Sequence, residues 1–155
     1  MSEALAYFLD EETVCAEVDF PDRGIDFAFM LKPADWKALL KKWDDYSDEW
    51  RSAITYFAGF AYLEDSAVII LKALYEKNEK IVLQALFSIY ESMNAQIESE
   101  GHKRKQTGKQ PADKAVYTFS VKDRQKIQEE LALRSMEFEV YPELKQLQDM
   151  ITRSV

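Results

Sequence analysis

The sequence predicts an α+β fold: a predominantly helical single domain with a small antiparallel β-hairpin or three-stranded sheet. Two observations predict this class. Apolar residues alternate with polar ones in two short segments near the start of the chain, which is the period of a half-buried strand. From Pro33 onward the apolar residues recur every three or four positions, which is the period of a helix. We therefore expect a hairpin packed on a helical bundle.

The hairpin is predicted from residues 13–20 and 25–31, each of which alternates over its whole length. Residues 21–24 read Pro-Asp-Arg-Gly, a turn sequence in which proline sets φ and glycine accepts a positive φ. Glu17 and Asp19 then lie on one outward face of the first strand. The result is a hairpin with one apolar side and one partly acidic side.

The helices are predicted from their starting residues and their apolar stripes. Serine can accept a hydrogen bond from the first turn of a helix, and proline is favoured as its first residue. The second helix carries a stripe at helical spacing, Trp36, Leu39, Leu40 and Trp43. Helix starts of this kind occur at Ser2, Pro33, Ser47, Ser120 and Pro142.

Two later segments are harder to interpret. Gly101 to Ala112 is rich in Lys, Gln and Gly and has no apolar anchor, which predicts a basic loop. Residues 115–119 can return as a third strand, whereas 137–141 fit either a strand or a helix junction. The predicted single domain, 1–155, thus comprises a hairpin (12–31), a helical core (34–99), a basic loop (101–114) and a C-terminal strand with helices (115–153).

The charge is distributed unevenly along the chain. The net charge is −8, and residues 1–50 alone carry −8, while residues 101–155 carry +3. Nucleic-acid affinity depends mainly on cations that contact phosphates, which the acidic third lacks. An acidic surface would instead attract a basic partner. The alternative is that the charge only maintains solubility.

The strongest candidate for a binding site is the stretch from Trp43 to Trp50, in which four acids stand among three large aromatics. Tyr46 has acids on both sides, the composition of a contact residue for a cationic partner. We predict a partner-binding surface formed by Glu17, Asp19, Asp44, Asp45, Tyr46, Asp48 and Glu49.

Few catalytic mechanisms fit the composition. With His102 as the one histidine and Cys15 as the one cysteine, zinc centres built from several such ligands are excluded within one chain. No glycine-rich phosphate-binding motif is present. We predict no catalytic residues, no metal and no cofactor. Paired carboxylates remain the alternative, since two acids with separated pKa values can perform acid/base catalysis.

The compartment is predicted to be the cytoplasm. A lone Cys15 forms no intramolecular disulfide, and the first residues lack the basic start and apolar run of a secretory signal. No apolar run has the length needed to span a bilayer. A reducing compartment is the simplest one in which to place such a chain.

In size, acidity, compartment and lack of catalytic machinery the chain resembles the bacterial immunity proteins, which block a cognate toxin domain. The resemblance implies an acidic cytoplasmic protein that inhibits a basic protein partner and is not an enzyme. Neither nucleic acid nor membrane is an expected partner, and homo-oligomers are compatible with this function. The alternatives are a regulatory or adaptor domain, a phage-encoded inhibitor and, less favoured, a carboxylate-dependent enzyme.

Overall fold

The computed structural model describes residues 1–107 and 117–153, and describes only the backbone of residues 96–107. Within these residues the chain forms nine α-helices and two short 3-10 helices, Trp43–Asp45 and Ser135–Glu137, and contains no strand. The α+β prediction is therefore wrong. The helices are α1 Glu3–Leu9, α2 Glu11–Glu17, α3 Asp22–Met30, α4 Pro33–Lys41, α5 Asp48–Ala58, α6 Leu63–Leu74, α7 Glu79–Thr107, α8 Val121–Leu133 and α9 Pro142–Arg153.

The first predicted strand, residues 13–20, is replaced by α2 and the turn that follows it. Asp10 caps α2, because its Oδ1 accepts a hydrogen bond from the backbone N of Thr13 at 3.2 Å. Acids in the first turn of α2 add to its stability by interacting with the helix dipole. Val14 and Val18 are four residues apart, a spacing that suits one face of a helix as well as one face of a strand.

The second predicted strand, residues 25–31, lies mostly in α3. The buried residues in this part of the chain are Gly24, Ala28 and Leu31. Their separations of four and three residues follow helical rather than alternating spacing. Phe29, which the alternation of a strand would put on the apolar face of the hairpin, is 62% exposed. Small residues on the inner face of α3 let this helix approach α5 closely. This packing makes the segment helical, although its larger side chains alternate in the sequence as they would in a strand.

The later segments also differ from the prediction. The backbone is helical through Thr107, so the predicted basic loop is wrong for residues 101–107, and 108–114 lie outside the described residues. Of the predicted third strand, residues 115 and 116 lie outside the description. Tyr117 to Phe119 have no regular structure, and Phe119 is buried. Residues 137–141 form a helix junction.

The predicted helix starts are confirmed. Ser2, Ser47 and Ser120 each accept a hydrogen bond from the backbone N three residues ahead. Pro33 and Pro142 are the first residues of α4 and α9. These helix starts could be predicted from the sequence because capping depends only on neighbouring residues.

The core is formed chiefly by α5, α6 and α7, with α4 packed beside α6. Trp36, Trp43 and Trp50 are all buried in it. Serine hydroxyls stabilise the close contacts between helices. Ser88 donates to the carbonyl oxygen of Thr55, and other serines nearby donate to further backbone carbonyls. The longest helix, α7, has 29 residues, yet no helix in the described ranges is both long and apolar enough to cross a membrane.

Candidate functional site

Two stretches of the chain meet where α1 passes into α2 and where α5 begins. The hydroxyl of Tyr46 donates to the carbonyl oxygen of Leu9 at 2.8 Å, and the indole Nε1 of Trp50 donates to the carbonyl oxygen of Phe8 at 2.9 Å. The backbone N of Ser47 lies 3.4 Å from Glu11 Oε1. These contacts bring the starts of α2 and α5 together, although they lie far apart in the sequence.

The meeting of the two helix starts gathers acids from both segments into one patch. We call it the acidic surface and define it as Asp10, Glu11, Asp44, Asp45, Asp48 and Glu49. All are exposed except Glu11, which is half-buried. Four of the six are residues of the predicted site, and the other two, Asp10 and Glu11, come from α2.

The electrostatics of two neighbouring groups show how close these acids lie. The pKa of Tyr46 is raised by burial and then by the charges of Glu11, Asp45 and Asp10. The pKa of Cys15 is raised to about 11 by burial and then by Glu49 and Glu11. Glu11 acts on both groups, so it lies close to Tyr46 as well as to Cys15.

Part of this acidity has a local structural cause. Asp10 caps α2 through its side chain, and Asp48 and Glu49 occupy the first turn of α5. Negative groups near a helix N-terminus each stabilise the helix by about 0.3–1 kcal/mol. Because two helix starts lie side by side, helix stability alone favours acids at this place, whether or not the surface binds a partner.

Arg51 neutralises part of the surface from its inner side. Its side chain is 18% exposed, and its Nη1 lies 3.0 Å from Asp48 Oδ1 and its Nη2 4.0 Å from Asp44 Oδ1. Asp48 also accepts a hydrogen bond from Asn78 at 3.2 Å. Within the described part of the chain, the carboxylates of Asp45 and Glu49 have neither a hydrogen bond nor an ion pair. Their charges are thus free to attract a cation from outside.

Glu17 and Asp19 do not belong to the acidic surface. Glu17 is the last residue of α2, about 9 Å along the helix from Glu11 at 1.5 Å per residue. Its carboxylate accepts hydrogen bonds from Arg23, one of them from Nε at 3.0 Å. Asp19 is exposed in the turn before α3. The shared strand face that we predicted for the two acids is wrong, because no strand forms there.

Tyr46 lies at the centre of the acidic surface but is half-buried. Its ring packs edge-on against Trp50 with centroids 4.4 Å apart, and its hydroxyl is engaged by Leu9. In the free chain Tyr46 therefore connects the two segments. Its role as a contact residue for a cationic partner stays a prediction.

Sequence reasoning missed Asp10 and Glu11. Asp10 followed by Glu11 and Glu12 is a helix-start signal that could have revealed α2, because Asp is a favoured cap and acids are favoured in the first turn. No local signal could have shown that this start lies against residues 46–50, because that contact depends on the packing of α1, α2 and α5.

A shallow groove of about 510 Å³ lies between α8 and α9. Its one carboxylate, Asp149, lies 3.3 Å from Lys145 Nζ. Carboxylate-pair catalysis needs two acids facing one cleft, and this groove offers only one. The other residues that line it are Gln128, Gln148, Thr152 and Arg153.

The described residues contain no group of three His, Cys, Asp or Glu side chains arranged to hold a metal ion. Glu98 and His102, which stand four residues apart, fall where only the backbone is described. Cys15 is half-buried, and its raised pKa disfavours the reactive thiolate. No protein-family model, curated protein or solved structure matches the chain.

Proposed function

We propose that this chain is an acidic cytoplasmic binding protein that inhibits or neutralises a basic protein partner, in the manner of an immunity protein against a bacterial toxin. The acidic surface carries the proposal. It joins acids from two segments, and two of their carboxylates, those of Asp45 and Glu49, have no hydrogen-bond or ion-pair partner among the described residues. Lys or Arg side chains of a basic protein would provide the missing partners.

The placement of Arg51 supports a surface directed outward. Arg51 holds Asp48 in position through the contact at 3.0 Å, whereas the exposed carboxylates of Asp45 and Glu49 are left for a partner. Fixed charges lose little conformational freedom on binding, and complementary charge raises association rates. A partner with a basic active site would be attracted and covered by such a surface.

A catalytic role for the acids is less well supported. Acid/base catalysis needs one carboxyl group with a raised pKa next to another that stays ionised. Asp65 has a raised pKa, caused by burial and then by Glu64. Both residues lie in the first turn of α6, outside the acidic surface. We therefore place the function in binding and propose that the chain is not an enzyme.

The test is affinity capture at low and at moderate salt, with the tagged chain used to capture proteins from an extract of the cells that encode it. The test variant combines Asp45→Asn with Glu49→Gln, which removes two charges and leaves the Asp48 contacts intact. We expect the wild type to retain one basic protein in stoichiometric amount, with capture weakened by salt because exposed charges are screened. The variant should bind that protein about tenfold more weakly or worse.

A matched control separates local charge from net charge. Glu64→Gln with Glu91→Gln removes the same number of charges from exposed positions on α6 and α7. The control should bind as the wild type does. Equal binding by all three chains, or capture of no basic protein, would contradict the proposed function.

A further inference from the structure

Three large apolar side chains are exposed in the segment from the end of α8 to the start of α9. They stand three and four residues apart in a run of successive backbone turns, a spacing that puts them on one side of the segment. Leu133 is 78% exposed, Met136 is 94% exposed and Val140 is 72% exposed. Single exposed apolar residues are normal on protein surfaces, but a cluster of them often marks an interaction site. We call these three residues the apolar knob.

The knob stands on a fixed base. Arg134, between the first two of its residues, is only 6% exposed, and its Nη1 donates to the carbonyl oxygen of Glu130 at 3.0 Å and to its carboxylate at 2.6 Å. At the other end, Tyr141 packs edge-on against Phe87 with ring centroids 5.3 Å apart. The backbone that carries the knob is therefore fixed before binding, and only the knob side chains have to be ordered when a partner covers them.

The charges around the knob restrict what can cover it. Residues 135–143 contain Glu137, Glu139 and Glu143 and no Lys or Arg. A second copy docking through the same knob would bring these acids against their own counterparts, which is unfavourable. The complementary partner has an apolar pocket with Lys or Arg at its rim.

Two contacts connect the knob to the acidic surface. Asn78 donates to Asp48 at 3.2 Å, and Glu79, the next residue, accepts a hydrogen bond from Arg134. The side chain of Glu79 is largely exposed, so it adds a further acid between the two places. A partner of ordinary interface size, about 800 Å² on each protein, can contact both.

We propose that the apolar knob is the anchor of the same interface and inserts into an apolar, Lys- or Arg-rimmed pocket of the basic protein partner. The inference rests on the proposed function, to which it adds the second half of the contact surface. The acids attract and orient the partner, and the knob supplies burial of apolar surface that does not weaken with salt.

The test uses the basic protein captured by the wild-type chain, purified and titrated at low and moderate salt. Leu133→Ser with Met136→Ser should weaken its binding about tenfold or more at both salt concentrations. Val121→Ser is the control, because Val121 is 70% exposed but lies at the opposite end of α8. A photo-crosslinking amino acid in place of Met136 should crosslink to the same partner.

The outcomes separate this proposal from the previous one. If Asp45→Asn with Glu49→Gln weakens binding and the knob variant binds as the wild type does, the acidic surface stands and the knob proposal is overturned. If no basic protein is captured, both are overturned. If sedimentation velocity shows a wild-type dimer that the knob variant lacks, a second copy covers the knob and this proposal is wrong.

Discussion

The hydroxyl of Tyr46 donates a hydrogen bond to the carbonyl oxygen of Leu9, 37 residues away in the chain. Leu9 is the last residue of α1, and Tyr46 stands just before α5. The bond therefore fixes two helix junctions against each other. Because acids flank Tyr46 and follow Leu9 in the sequence, this bond helps to hold the acidic surface together.

We expect Tyr46→Phe to lower the free energy of unfolding by about 1 kcal/mol, the usual net value of one hydrogen bond. Urea denaturation measures it. Tyr62→Phe is the control, since Tyr62 is exposed and should change stability by less than about 0.5 kcal/mol. Equal effects of the two changes would show that the bond to Leu9 does not hold the junctions together.

Gly24→Ala should destabilise the chain by about 1–3 kcal/mol, because a Cβ at this position would overlap the ring of Phe57. The direction of this change in stability is informative, because helix propensity alone would make alanine more stabilising than glycine by about 1 kcal/mol. In a Phe57→Leu background the same change should become nearly neutral. A double-mutant cycle by urea denaturation measures this coupling. Its absence would contradict the close contact of α3 with α5.

Arg134→Met should destabilise the chain by about 3 kcal/mol, because it leaves the largely buried carboxylate of Glu130 with one of its two cations. Lys145→Met is the control. It breaks the exposed Lys145–Asp149 pair, which is worth about 0.3–0.5 kcal/mol. Thermal or urea unfolding of both variants measures the difference, and similar losses would contradict a structural role for Arg134.

Stability should also depend on pH through Glu130. Burial favours a higher pKa for this carboxyl, but hydrogen bonds from Lys126 and Arg134 outweigh burial, and the pKa is lowered below 4.5. A lowered folded-state pKa contributes stability that is present above the unfolded pKa and is lost as the pH falls through the folded one. Comparing wild type with Glu130→Gln by urea denaturation between pH 6 and about pH 3 tests this. The stability difference between them should shrink on acidification, and a constant difference would contradict the argument.

Cys15 should alkylate slowly. Raising its pKa from 9.0 to about 11 lowers the thiolate fraction at neutral pH about a hundredfold. Glu49→Gln should lower that pKa and speed the reaction with iodoacetamide, whereas Glu64→Gln should not. Rates measured against pH test both points. An unchanged rate in Glu49→Gln would show that the Glu49 charge does not reach the thiol.

The helix starts could be predicted from sequence because their chemistry is local. Ser47 caps α5 through a neighbour three residues away, and Pro142 needs only its own ring to suit a first turn. The predicted hairpin failed because alternation in short segments does not exclude a helix. There the outcome depended on the inner face of α3, where Gly24 and Ala28 fit against the rest of the core.

Four of the six acids of the acidic surface were predicted from the sequence. The acids at 44–49 are adjacent in the sequence and were recognised from composition. Asp10 and Glu11 join them only through the contacts of Tyr46 and Ser47, which arise from tertiary packing. The apolar knob escaped notice because residues 137–141 alternate like a strand, and only the fold shows that Val140 is exposed.

The most direct test of the central claim is amide hydrogen exchange of the full chain, free and bound to the basic protein that it captures. We predict added protection in residues 9–12 and 43–50 together, because they form one surface. Protection confined to one of these two segments, or found in neither of them, would contradict the proposed binding surface.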